Sequence, residues 1–160
     1  MEIKDSGERR QFSSGAVRDA NDSKGRCDLL PLGVVAEILN DKVLSHIDQY
    51  VRIGGTRFLI EAIKEFSKTY YDDLETAMLE VSFHYSEGLK KYPPRNWEKG
   101  IDLHSYIDSG VRHYLKHKRG DVDEPHDRAF IWNMLGAIHT HYYHPDLRDL
   151  PFNKTEEDIH

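Results

Sequence analysis

Apolar residues recur every three or four positions through most of this chain, and each such block is closed by glycine or proline. That period puts one stripe of a helix against a core, whereas a half-buried strand needs a period of two. Leu32, Val35, Ile38, Leu39, Val43 and Ile47 predict a first helix over about 31–50. Pro31 suits its first turn, where the missing N–H has no partner in any case. Gly54-Gly55 breaks the pattern, and Thr56 is placed to cap a second helix over about 57–70, with Phe58, Leu59, Ala62, Ile63 and Phe66 inward. Asp72 or Asp73 opens a third, which runs to about Lys91 before Pro93-Pro94. A fourth covers about 103–118 and ends at Gly120-Asp121; a fifth covers about 124–143 and ends at His144-Pro145. No run alternates with period two. The expected fold is therefore all-α, a single-domain bundle of about five helices with an extended N-terminal arm. Residues 1–27 form that polar arm, 28–144 the helical domain and 145–160 a polar tail; the charged stretch 40–72 reads as an elaboration for packing or self-association.

Charge narrows the partners. The formal net charge is −6, so the chain lacks the positive field with which proteins hold a DNA backbone. Stable duplex binding is not expected, and an anionic ligand has to be met by local clusters of bases. Cys27 is the single cysteine, the first residues are polar, and no apolar run approaches the roughly 20 residues of a membrane span. These features predict a cytoplasmic protein without membrane contact.

Five clusters are candidates to carry chemistry. The loop Tyr92-Pro93-Pro94-Arg95-Asn96-Trp97-Glu98-Lys99-Gly100 places an indole and three charges between two helices. Before it, Glu80, His84, Glu87 and Lys91 follow at helical spacing along one face, and Gly88 interrupts that helix. After it come Asp108, Arg112 and His113; Asp108 and Arg112 are an i, i+4 pair, and arginine forks well onto phosphate oxygens. The run Asp121-Val122-Asp123-Glu124-Pro125-His126-Asp127 then packs four acids and a histidine into seven residues, with Asn133 further along. Acids at a helix start are ordinary, since the dipole favours them, but carboxylates also suit Mg²⁺ or Mn²⁺ carried on phosphates. His126-Asp127 can alternatively belong to a histidine/aspartate metallohydrolase, with His84, His113 and Asp108 completing it. In the arm, Gly15-Ala16-Val17-Arg18-Asp19 and Lys24-Gly25-Arg26-Cys27-Asp28 alternate glycine and base, as suits backbone approach to phosphate; no Walker-type loop occurs.

In this order, Gly15-Ala16-x-Arg18-Asp19, Lys24-Gly25-Arg26-x-Asp28-Leu29-Leu30-Pro31, Glu87-Gly88-x-x-Lys91-Tyr92, Asn96-Trp97-Glu98-Lys99-Gly100, Asp108-Ser109-x-x-Arg112-His113 and Trp132-Asn133 resemble the dATP/dGTP diphosphohydrolase N-terminal domain family, found in bacteriophages and prophages. The resemblance spans about residues 8–140. It implies a phosphohydrolase acting on purine deoxynucleoside triphosphates in a bacterial host cell. On this expectation Glu87, Asp108, Glu124 and Asp127 hold Mg²⁺ or Mn²⁺, with Glu87, Asp108 and His113 catalytic. Arg18, Lys24, Arg26, Lys91, Lys99 and Arg112 grip phosphates, while Asn96, Trp97 and Asn133 hold the base or sugar. The rival reading is a protein that sequesters a nucleotide or nucleotide messenger without turnover. A helical oligomerisation module is the third. A homo-oligomer with the site at a subunit interface is expected in the first two.

Overall fold

The computed structural model describes residues 10, 11, 17, 18 and 24–154, with side chains for 24–153. Among the described residues six α-helices carry the fold: α1 (Leu32–Leu39), α2 (Lys42–Ile53), α3 (Thr56–Tyr70), α4 (Leu74–Gly88), α5 (Leu103–Arg119) and α6 (His126–Tyr143). In the arm, β1 (Arg10–Gln11) pairs antiparallel with β2 (Val17–Arg18), where no regular structure is expected from the sequence.

The first predicted helix divides in two. Asn40 turns the chain left-handed (φ 51°), and the Asp41 carboxylate then accepts from the Leu44 N–H at 2.9 Å to cap α2. Asparagine tolerates the left-handed region and aspartate is a strong N-cap, so a stop and a start lie side by side in one dipeptide.

α5 and α6 form an antiparallel hairpin at the centre. Gly110 faces Asn133 and Met134, and the Tyr106 ring lies against Gly136. A Cβ on Gly136 would sit 2.3 Å from the Tyr106 ring, so this crossing needs glycine for backbone approach. The α2–α3 hairpin packs on the far half of α6. The Tyr50 hydroxyl meets His141 Nδ1 at 2.9 Å, and the Thr56 and Tyr142 hydroxyls meet at 2.6 Å. Phe66 of α3 gathers Tyr114 and Phe130 around itself with centroids 5.8 and 4.7 Å away. α4 closes the other side of α6 through Tyr85 against Trp132 and an Arg128–Glu80 ion pair of 3.0 Å.

Residues 145–153, expected within a polar tail, fold back onto this core. Leu147 and Leu150 are buried, and Phe152 packs edge-on against Tyr50. The apolar residues hidden among the charges of this stretch supply the reason. No helix among the described residues is long and apolar enough to cross a membrane.

Candidate functional site

The α5–α6 turn builds a dense polar cluster. Gly120 ends α5 in the left-handed region (φ 93°), and the Gly120 and Asp121 N–H groups satisfy carbonyls of the last turn. The short run to Pro125 then doubles back, so the start of α6 lies beside the last turns of α5. His113 and His126 stand seven residues before and six after Gly120, and their Nδ1 atoms meet at 2.9 Å. His126 is buried, and its other nitrogen, Nε2, faces the Asp123 carboxylate at 2.8 Å. Glu124 joins them: ligand atoms of His113, Glu124 and His126 all lie within 4.8 Å of one another, and those of Asp121, Asp123 and His126 form an overlapping group.

A cleft of about 280 Å³ opens here, lined by His117, Asp121, Glu124, His126, Asp127 and Arg128 among others. The Tyr71 hydroxyl donates to Asp127 at 2.5 Å, and burial together with that carboxylate pushes the Tyr71 pKa well up, keeping the phenol protonated. His117 packs edge-on to Tyr70 at 4.4 Å, and burial lowers its pKa below the usual imidazole value. The cleft thus holds two histidines and three acids at the positive end of α6.

The other predicted residues sit elsewhere. Asp108 is buried on α5, where it accepts from the Cys27 N–H and from Arg112 Nη2, both at 2.6 Å. Arg112 also donates to the Gly25 carbonyl. The pair thus fastens the end of the arm to α5. Arg26 forks onto Asp28 through two bonds of 2.7 Å, and Lys24 is exposed. The Arg18 side chain lies outside the described residues, as do Gly15, Ala16 and Asp19. Glu87 pairs with Lys90 at 3.0 Å, and Lys91 lies over the Tyr92 ring. Asn96 is buried in a 3-10 turn, Asn96–Lys99, in which Lys99 is exposed. Trp97 meets His139 of α6 edge-on at 4.9 Å and carries the Arg95 guanidinium over its ring at 4.8 Å. Asn133 donates to the Ala129 carbonyl one turn back in α6.

Of the four carboxylates expected on a metal, only Glu124 enters a group of three close ligand atoms; Glu87, Asp108 and Asp127 enter none among the described residues. His113, expected among the catalytic residues, is in the cluster, and its partner His126 was legible only as half of a His-Asp dipeptide. The signal that pairs them is their near-equal distance from Gly120, which an antiparallel helix hairpin folds face to face.

The family described as dATP/dGTP diphosphohydrolase, N-terminal, matches residues 64–149, from the middle of α3 to the segment after α6. The arm motifs that also resemble this family precede the matched span. No curated protein and no solved structure matches the chain. Since the matched residues make up more than half of the chain and contain the whole α5–α6 hairpin, the protein belongs to the dATP/dGTP diphosphohydrolase N-terminal family.

Proposed function

We propose that the protein is a metal-dependent phosphohydrolase that converts purine deoxynucleoside triphosphates to monophosphates, in a phage or prophage setting. The observation that carries this reading is the cleft at the start of α6, where Asp121, Glu124 and Asp127 line the same small space as His126. Such a site repels a triphosphate unless a cation lies between, and the family supplies the substrate class. A divalent ion, Mg²⁺ or Mn²⁺, supplies charge neutralisation of the phosphates there. Glu124 and Asp127 offer it hard oxygens, and Tyr71 fixes one Asp127 oxygen at 2.5 Å.

In the overall step, a water oxygen bonds to the α-phosphorus and the bridging bond to the β-phosphate breaks. Deoxynucleoside monophosphate and diphosphate leave, and a proton passes to solvent. Lys24, Lys91 and Lys99 are exposed or half-buried cations that would approach the phosphate oxygens in this reading. Arg112 and Arg26 contribute by fixing the arm instead, since their forks are engaged by Asp108, Gly25 and Asp28.

A cleft of about 280 Å³ is at the lower edge of what a nucleotide-sized ligand occupies. A second copy of the chain completes the pocket in this reading. α4 presents Leu79 and Phe83 one turn apart, both exposed, as a surface for that contact.

The test is incubation with dATP, dGTP, dCTP and dTTP, with and without divalent metal, followed by chromatography of the nucleotides. Purine deoxynucleoside monophosphate and inorganic pyrophosphate in equal amounts are expected. Purine triphosphate recovered intact from the protein after denaturation would instead establish the sequestering reading.

A further inference from the structure

We infer that His113, His126 and Glu124 form a transition-metal site built on nitrogen donors, one that takes an ion of the Mn²⁺, Co²⁺ or Zn²⁺ kind in preference to Mg²⁺. It deepens the metal dependence proposed above, but ion binding by these residues stands whether or not a nucleotide is cleaved.

Three features of the geometry carry it. First, the two Nδ1 atoms are 2.9 Å apart. Two imidazole nitrogens each about 2.1 Å from one ion are about 3.0 Å apart when they meet it at right angles and about 3.4 Å apart in a tetrahedron. The ring nitrogens therefore already stand at the separation of neighbouring ligands. Second, His126 Nε2 faces Asp123 Oδ1 at 2.8 Å. A carboxylate can only accept, so Nε2 carries the proton and His126 Nδ1 accepts from the His113 Nδ1–H, the proton that an ion bound between the two rings would displace. This is how ligating histidines are oriented, with the outer nitrogen donating to a carboxylate and the inner one left free for metal. Third, a Glu124 carboxylate oxygen lies within 4.8 Å of a ligand nitrogen of each histidine, close enough to belong to the same group.

The donor set decides the ion. Imidazole suits Zn²⁺, Co²⁺ and Mn²⁺, whereas Mg²⁺ keeps to oxygen. Three protein ligands also leave coordination positions for water or a phosphate oxygen. The site differs from the Asp102, His104 and Asp149 group, in which His104 is engaged by Asp149 in an ion pair and the carboxylate caps α5 through the His104 N–H at 2.9 Å.

The experiment uses the full chain stripped with a chelator and titrated with Co²⁺, Zn²⁺ and Mg²⁺ in the absence of nucleotide. It is read by calorimetry and, for Co²⁺, by visible absorption. One ion of Co²⁺ or Zn²⁺ per chain is expected, at least about tenfold tighter than Mg²⁺. His113→Ala and His113→Gln abolish that equivalent, and Asp123→Asn weakens it by about tenfold to a hundredfold while keeping the stoichiometry. His104→Ala leaves it intact. Helical circular dichroism checks folding, and His113, being half-buried, gives a variant that retains the core. Binding no tighter than Mg²⁺, or binding unchanged in both His113 variants, overturns the site. Loss of hydrolysis with ion binding intact counts against the enzyme reading alone.

Discussion

Single side chains here do two kinds of work, and burial separates them. Asp41 and Asp73 both cap helices, α2 and α4, by accepting an N–H three residues on. Asp41 is also buried and accepts from the Tyr114 hydroxyl at 2.5 Å, with Lys118 at 3.3 Å. Asp41→Ala removes a cap and strands a buried hydroxyl, so a loss of about 2–3 kcal/mol is expected by denaturant titration. Asp73→Ala loses only an exposed cap and costs less; equal losses would contradict the distinction. His104 gives a pH signature. The Asp149 bond raises the His104 pKa above its usual 6.5, although burial works against it. For Asp149, burial pushes upward, but the bonds from His104 outweigh it and hold the carboxyl below 3.8. A raised folded pKa means that the histidine's contribution is full below 6.5 and fades as pH rises through the folded value; the aspartate's is full above 3.8 and fades in acid. The melting-temperature gap between the native chain and His104→Ala should therefore be widest between about pH 4.5 and pH 6.5 and shrink by about pH 9. A gap constant across that range would contradict the ion pair.

At the scale of elements, glycines tell where helices touch. Gly136→Ala drives a methyl into the Tyr106 ring at the α5–α6 crossing, an overpacking that costs about 1–3 kcal/mol. Gly88, the last residue of α4, has open space where a Cβ would go, so Gly88→Ala is expected to raise stability by about 0.5–1 kcal/mol. Opposite signs in the two melting curves are the expected outcome; destabilisation by both would mean that α4 ends differently. Periodicity made α2, α3 and α5 legible because each carries a strong apolar stripe, whereas α6 at the centre is apolar on several sides. The break between α1 and α2 was not legible as a break, since the apolar spacing continues across Asn40-Asp41 and only the backbone turn interrupts it. The packing of 145–153 was hidden for a related reason: Leu147, Leu150 and Phe152 are too few and too spaced to give a period, and tertiary contact alone orders them. The loop around Trp97 was legible as unusual, but its contacts run to Arg95 and His139 within the chain. Trp97→Ala should therefore lower the melting temperature even without nucleotide; an unchanged melt with weakened nucleotide binding would make the indole a base platform instead.

For the whole molecule, the sequence motifs lie on segments whose arrangement the sequence does not give. Glu87, Asp108, His113 and Glu124 are spread along the chain, and which of them meet depends on helix register. Register brings His113 to His126 and Glu124, and ties Asp108 to the arm through the Cys27 N–H. Self-association follows from the same view: a small cleft and an exposed apolar pair on α4 predict a dimer or larger oligomer by light scattering at micromolar concentration. Leu79→Glu with Phe83→Glu should yield monomers with the helical content unchanged, and a monomeric native chain would remove the second copy from the site. The most direct test of the account is chromatography of dGTP incubated with metal-stripped protein before and after Mn²⁺ is added. The account predicts intact dGTP before addition and stoichiometric dGMP and diphosphate after it, with the product absent in His113→Ala. Intact dGTP under both conditions would contradict it.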